Sequence, residues 1–145
     1  DKLLSFLKEG MSPHKLAMAF AVGVCIGIIP VLGITTILCT FIALFLRLNM
    51  PAVQTVNYFV YPLQLILFIP YLKTGTELFS NHQFNYSLEQ IKTMVSQDLW
   101  NTIVLLFEMN IYGVLLWLLT APVLFGFIYF LCLLIFKKLI KPSVQ

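Results

Sequence analysis

Charged residues divide this chain into three long apolar runs and one polar stretch. The runs without Asp, Glu, Lys or Arg extend over residues 16–46, 48–72 and 109–136. A helix of about 20 apolar residues crosses the hydrocarbon core of a bilayer. Each run is therefore long enough to span a membrane, and the pattern predicts an all-α, multi-pass membrane protein.

The first run predicts a pair of shorter helices separated by a break. Ser12 and Pro13 are a typical cap and first residue of a helix. Pro30 and Gly33 then interrupt the run, because proline lacks a backbone N–H and glycine permits a turn. Two half-helices of roughly 15 residues would each reach roughly 22 Å, less than the roughly 30 Å hydrocarbon core. We therefore predict a re-entrant helical hairpin over residues 13–48.

Small residues recur along the first half-helix and indicate close helix packing. Ala19, Gly23 and Gly27 follow one another at four-residue spacing, which lets a neighbouring backbone approach one face. Gly23 and Gly27, together with Pro30 and Gly33, are therefore predicted to be structural residues of the hairpin. Packing within the chain and a homo-oligomer seam are the two alternatives for this face.

The second run predicts a membrane span over residues 50–72, with a candidate break at Pro62. Gln54, Asn57 and Gln64 carry polar amides at or near membrane depth, where such groups usually face protein or a wet cavity. Two interpretations stay open. The amides bond backbone groups that Pro62 leaves free, or they line a substrate path.

Residues 73–108 predict a polar loop followed by an interfacial amphipathic helix. Ser87 and Gln90 form a capping-box pattern at its start. The apolar residues at helical spacing in this segment are Leu88, Ile91, Val95, Leu99 and Ile103. Beyond it, a kinked full span is expected over residues 109–136, because Pro122 lies near its middle.

Basic residues at both ends predict the orientation of the chain. They are Lys2, Lys8 and Lys15 before the first run, and Lys137, Lys138 and Lys141 after the last. The positive-inside rule places such flanks in the cytoplasm. We therefore expect one membrane domain over residues 1–145, with an amphipathic segment at 1–12, a basic tail at 137–145, both termini cytoplasmic and the loop at 73–98 outside.

Composition excludes several classes of protein. The chain of 145 residues is 60% hydrophobic and only 10% charged, against roughly a quarter charged in soluble domains. Its net charge of +3 is dispersed, so no nucleic-acid partner is expected. Three cysteines, Cys25, Cys39 and Cys132, lie inside apolar runs and form no C-x-x-C pair, which is typical of small packing residues.

Catalytic motifs are absent from the sequence. It contains no Walker loop, dinucleotide-binding glycine pattern or G-x-S-x-G elbow. His14 and His82 lie far from each other and have no further ligand at metal-binding spacing. We therefore predict no catalytic residue, metal site or cofactor, and place binding or transport ahead of enzymatic activity.

A binding site for an anionic lipid headgroup is predicted around Arg47. Arg47 and Glu108 border apolar runs, where an ionisable group either reaches to the interface or is functional. Arginine makes paired hydrogen bonds to phosphate. Gln54 and Asn57, three residues apart, share a helix face and, with Asn49, can donate to phosphate oxygens. Arg47, Asn49, Gln54 and Asn57 are the predicted substrate-binding residues.

Several of these motifs resemble one bacterial family. They are Gly23-x-x-x-Gly27-Ile-Ile-Pro30-Val-Leu-Gly33, Arg47-Leu-Asn49-Met-Pro51 and Pro62-Leu63-Gln64. Over roughly residues 10 to 80 their order and spacing resemble a bacterial membrane domain catalogued as domain of unknown function 2062. Tyr61 stands where the family usually places Asn before the proline, and Asn57, one helical turn earlier, is the candidate substitute.

The resemblance implies a protein of the bacterial inner membrane in an envelope-lipid context. Some members of the family follow a glycosyltransferase-like domain that works on lipid-linked sugars. Membrane proteins of the DedA type also use broken re-entrant segments, and they are associated with the movement of polyprenyl phosphates. Their similarity to this chain is an analogy at the level of the fold. We expect a protein that binds or translocates a phosphate-bearing envelope lipid. The alternative is a non-catalytic membrane module that anchors a glycosyltransferase-like partner.

Overall fold

The computed structural model describes residues 11–140, and this part of the chain is all-helical, as predicted. Its five helices are α1 (Pro13–Gly27), α2 (Thr35–Phe45), α3 (Met50–Phe79), α4 (Leu88–Gln97) and α5 (Leu99–Leu139). Most of the predicted segment 1–12 and the end of the tail 137–145 lie outside the described residues.

Two of the helices are long and apolar enough to cross a membrane. Helix α3 has 30 residues and α5 has 41, and an 18-residue stretch within each has a mean hydropathy of 1.4 and 2.5, respectively. Large apolar side chains such as Phe59, Val123 and Phe127 are exposed on these helices. An apolar surface of this extent is unfavourable in water and favourable in lipid.

Three apolar clusters follow one another along the molecule. The first joins the start of α1, the end of α2 and the start of α3, through Leu16, Ala43 and Val53, and the end of α5 packs against it. The second surrounds the connection between α1 and α2 with Trp117. The third joins the end of α3, the loop after it and the first half of α5. Helices α3 and α5 therefore run in opposite directions, and the start of α1 packs in the same cluster as the end of α2.

Helix α3 continues through both of its prolines. Pro62 and Pro70 lie inside it, and it ends at Phe79, so the candidate break at Pro62 is wrong and the predicted span 50–72 is only its first part. A proline removes one backbone hydrogen bond from a helix. Packing of α3 against α1 and α5 compensates for this loss.

The boundary between α4 and α5 also differs from the prediction. The capping box of Ser87 and Gln90 is present and starts α4. The helix ends at Gln97, because the Asp98 side chain accepts from Asn101 N and caps a new helix. Helix α5 thus begins about ten residues before the predicted span 109–136, and Ile103 belongs to it.

Candidate functional site

Gln64 joins α3 to the connection between α1 and α2. Its Nε2 donates to the carbonyl of Ile29 at 2.8 Å and to that of Val31 at 3.4 Å. The side chain is 1% exposed. Gln64 therefore bonds backbone carbonyls, as one interpretation expected, but those of the connection and not one that Pro62 leaves free. Its Oε1 has no partner among the described residues, which leaves one buried acceptor for a water molecule or a ligand.

Two side chains of α5 hold the same connection from the other side. Trp117 Nε1 donates to the carbonyl of Cys25 at 2.8 Å, and Asn110 Nδ2 donates to the carbonyl of Pro30. Sequence reasoning missed both residues. The available signal was weak: an amide and an indole N–H in an apolar run each need an acceptor when buried.

The backbone groups at the end of α1 and at the start of α2 differ in whether side chains hydrogen-bond to them. Carbonyls at and after the end of α1 accept from Gln64, Trp117 and Asn110. At the start of α2, Ile34 occupies the cap position and gives no side-chain hydrogen bond. The other four described helices have side-chain caps, from Ser12, Asn49, Ser87 and Asp98. The first N–H groups of α2 are therefore the uncapped donors of the break.

A cavity of about 280 Å³ lies beside this uncapped end, and we call it the break cavity. It is lined by Gly33, Thr35, Thr36, Asn57, Tyr58 and Tyr61. Asn57 is only 3% exposed, and its Nδ2 lies 3.4 Å from Gln54 Oε1. Gln54 in turn donates to Thr36 O at 3.0 Å and to Thr40 Oγ1 at 2.9 Å. The break cavity thus combines amide, hydroxyl and backbone polar groups.

Glycines on α1 make room for α3 at this level. A Cβ atom on Gly23 would lie 2.7 Å from Val56 Cβ, and one on Gly27 would lie 3.3 Å from Asn57 Oδ1. Close packing by α1 therefore positions Asn57 beside the break. One turn further along α3, Pro62 has no N–H, so the Tyr58 carbonyl lacks its helical donor.

The predicted substrate-binding residues fall into two groups. Asn57 lines the break cavity, and Gln54 lies beside it. Asn49 caps α3 by accepting from Ala52 N at 2.9 Å, and Arg47 is exposed just before that helix. Asn49 and Asn57 are about 12 Å apart along α3, at about 1.5 Å per residue. One compact headgroup would not touch all four.

Arg47 occupies a backbone position that usually belongs to glycine. Its φ is 52°, and it follows the end of α2. Leu48 N donates to Ala43 O at 2.8 Å and Arg47 N to Leu44 O at 3.2 Å, which is the pattern of a Schellman motif. A side chain at this φ costs about 1 to 2 kcal/mol.

The fold and the break cavity define a class, a helical protein with two candidate membrane spans and a polar break between two shorter apolar helices. The chain belongs to the family described as "Uncharacterized protein conserved in bacteria (DUF2062)", whose model matches residues 1–144. The family expected from residues 10 to 80 is confirmed, and its match includes α4 and α5. No curated protein and no solved structure matches the chain.

Proposed function

We propose that this protein handles a phosphate-bearing envelope lipid, such as a polyprenyl phosphate, within the bacterial inner membrane. The observation that carries the proposal is the asymmetry of the break. The carbonyls of Cys25, Ile29 and Pro30 accept from side-chain donors, while the N–H groups at the start of α2 have no side-chain cap beside the break cavity. Open N–H donors at the start of a helix favour an anion over a cation.

Helix ends of this kind can bind phosphate. The N-terminus of a helix carries partial positive charge and free N–H groups, which favour anions. Thr35, Thr36 and Asn57 line the same space and can donate further hydrogen bonds. Broken helices of transporters use their half-helix N-termini in the same way.

The placement of the basic residues supports entry of the lipid from the cytoplasmic leaflet. Lys15, Arg47 and Lys138 adjoin the first apolar cluster, where α1 begins and α5 ends. By the positive-inside rule this end is cytoplasmic. Helices α1 and α2, of 15 and 11 residues, then form the re-entrant hairpin, and the break cavity lies at membrane depth.

Arg47 is the proposed first contact of the headgroup. The strained φ of 52° would suit glycine better, so the side chain needs a reason other than local stability. A guanidinium at the membrane surface binds phosphate through paired hydrogen bonds. In this proposal the headgroup meets Arg47 first and reaches Asn57 deeper in the membrane.

Binding of farnesyl phosphate, compared with farnesol, tests the proposal. We expect the purified protein to bind the phosphate and to bind farnesol more weakly. Arg47→Lys should weaken binding because the planar fork is lost. Arg47→Gln should weaken it by about tenfold to a hundredfold, since charge-assisted bonds contribute roughly 1.5 to 3 kcal/mol. Asn57→Leu, which removes the amide without changing the charge, should also weaken it.

Two further variants serve as controls. Arg47→Gly relieves the strained φ and should stay folded, so a loss of binding there reports on the side chain alone. Lys138→Gln removes an equal charge from an exposed position at the same end and should bind normally. If Arg47→Gln and Asn57→Leu bind the phosphate and move a labelled polyprenyl phosphate in liposomes as well as wild type, the alternative of an anchoring module for a glycosyltransferase-like partner takes first place.

A further inference from the structure

A second polar cavity lies at the opposite end of the molecule from Arg47, and we call it the distal cavity. Its volume is about 300 Å³. It is lined by Thr76, Ser80, His82, Gln83, Tyr86, Leu105, Glu108, Met109 and Tyr112. These residues come from the end of α3, the loop after it and α5. Nothing in the proposed lipid-phosphate function uses them.

The walls of the distal cavity are fixed by close packing. Gly75 of α3 contacts the backbone of α5 so closely that a Cβ atom there would lie 2.8 Å from Gly113 N and still nearer to the Tyr112 carbonyl. In the loop, Phe84 is 5% exposed and packs with Leu72 and Met109. The helix crossing and the buried Phe84 therefore fix the backbone around the distal cavity, while the side chains of Glu108, His82 and Tyr86 are exposed.

The charge of the distal cavity favours a cationic ligand. Glu108 is its carboxylate, and none of the nine lining residues is Lys or Arg. Glu108 therefore gives the lining its one formal negative charge. A phosphate would be repelled here, whereas a cation would gain a counter-ion.

The side chains around Glu108 suit an organic ammonium. Within residues 11–140, no group of three or more His, Cys, Asp or Glu residues could hold a metal ion, so the donor set fits a metal poorly. Gln83, Tyr86 and Tyr112 offer oxygen acceptors, and a primary ammonium has three N–H donors to satisfy. The tyrosine rings add faces that attract cations.

We propose that the distal cavity binds a primary ammonium group, with Glu108 as its counter-ion. The ammonium belongs either to an aminolipid headgroup or to a free amine, since both present the same chemistry. This site is independent of the break cavity.

Methyl NMR of the protein labelled at methionine tests whether the distal cavity binds a free amine from solution. Met109 lines the distal cavity and Met18 lies on α1, so the two methyl groups report on the site and on the fold. We expect glucosamine to shift the Met109 signal and glucose, which lacks the ammonium, to leave it unchanged. Glu108→Gln should weaken binding by about tenfold or more. Glu77→Gln, an equal charge change at an exposed position outside the cavity, should not.

The Met109 signal of the protein in lipid nanodiscs tests whether the distal cavity binds an aminolipid headgroup. Phosphatidylethanolamine has the ammonium N–H groups that phosphatidylcholine lacks, so a shift of Met109 in the first lipid only assigns the ligand to a headgroup. A response to glucosamine only assigns it to a free amine. An equal response to glucose, an equal loss in Glu77→Gln and Glu108→Gln, or no response to any ammonium probe would each overturn the proposal.

Discussion

Single polar side chains determine how the break between α1 and α2 is held. The sequence predicted Gln64 as a polar group at membrane depth, but it did not predict its acceptors, the carbonyls of Ile29 and Val31. Asn110 and Trp117 were missed, although Asn110 donates to the same connection and Trp117 to the last turn of α1. In an apolar interior an unpaired amide or indole N–H costs roughly 1 to 3 kcal/mol. These three donors therefore stabilise the backbone at the break.

Gly33 and Gly126 allow a matched test of backbone strain at this scale. Neither has an atom within 4 Å of the place where a Cβ would stand, but Gly33 has a φ of +89° while Gly126 lies inside α5. We expect Gly33→Ala to lower the free energy of unfolding by about 1 to 2 kcal/mol, and Gly126→Ala to raise it by about 0.5 to 1 kcal/mol. Thermal unfolding in detergent measures both. Equal effects of the two substitutions would show that the turn at Gly33 is not constrained.

At the scale of helices, packing against α5 lets α3 continue beyond the end that the sequence predicted. Charged residues such as Lys73 and Glu77 led to a span ending at 72, yet α3 continues to Phe79. Leu72 and Thr76 are each 1% exposed, because this part of the helix packs against α5. The charged side chains occupy its exposed face, so a local rise in polarity did not mark the end of the helix.

Gly75 and Gly113 give the corresponding prediction for the crossing of α3 and α5. A Cβ on Gly75 would meet backbone atoms of Tyr112 and Gly113, whereas one on Gly113 would meet the flexible end of Leu72 at 3.2 Å. Gly75→Ala should therefore destabilise the protein by roughly 1 to 3 kcal/mol through overpacking, and Gly113→Ala by clearly less. Unfolding of the two variants in detergent measures the difference. Similar stability of both would contradict the close crossing.

At the scale of the whole molecule, the three apolar clusters show which chain segments lie at the same end of the protein. The basic residues around Arg47 and Lys138 adjoin one cluster, and the loop with α4 adjoins another. An even number of full crossings, by α3 and α5, is consistent with this arrangement. Orientation in the membrane then follows from the positive-inside rule and stays a prediction.

Cysteine labelling tests that orientation. In a background with Cys25, Cys39 and Cys132 replaced by alanine, Ser96→Cys on α4 should react with an impermeant maleimide from outside the cell. Lys138→Cys at the end of α5 should react only after the membrane is permeabilised. Both positions are exposed, so access of the reagent depends on the side of the membrane. Reaction of Ser96→Cys from the cytoplasmic side alone would reverse the proposed topology.

The sequence by itself determined the helical class, most helix starts and the break. Caps such as Ser12, Asn49 and Ser87 act within four residues, and the restrictions that Pro30 and Gly33 place on φ are local, so both can be read from neighbouring residues. Only the tertiary structure decided which polar groups meet. The bonds of Gln64, Asn110 and Trp117 to the connection and the last turn of α1 join residues 35, 80 and 92 positions apart. Such partners depend on how whole helices pack, which no local pattern specifies.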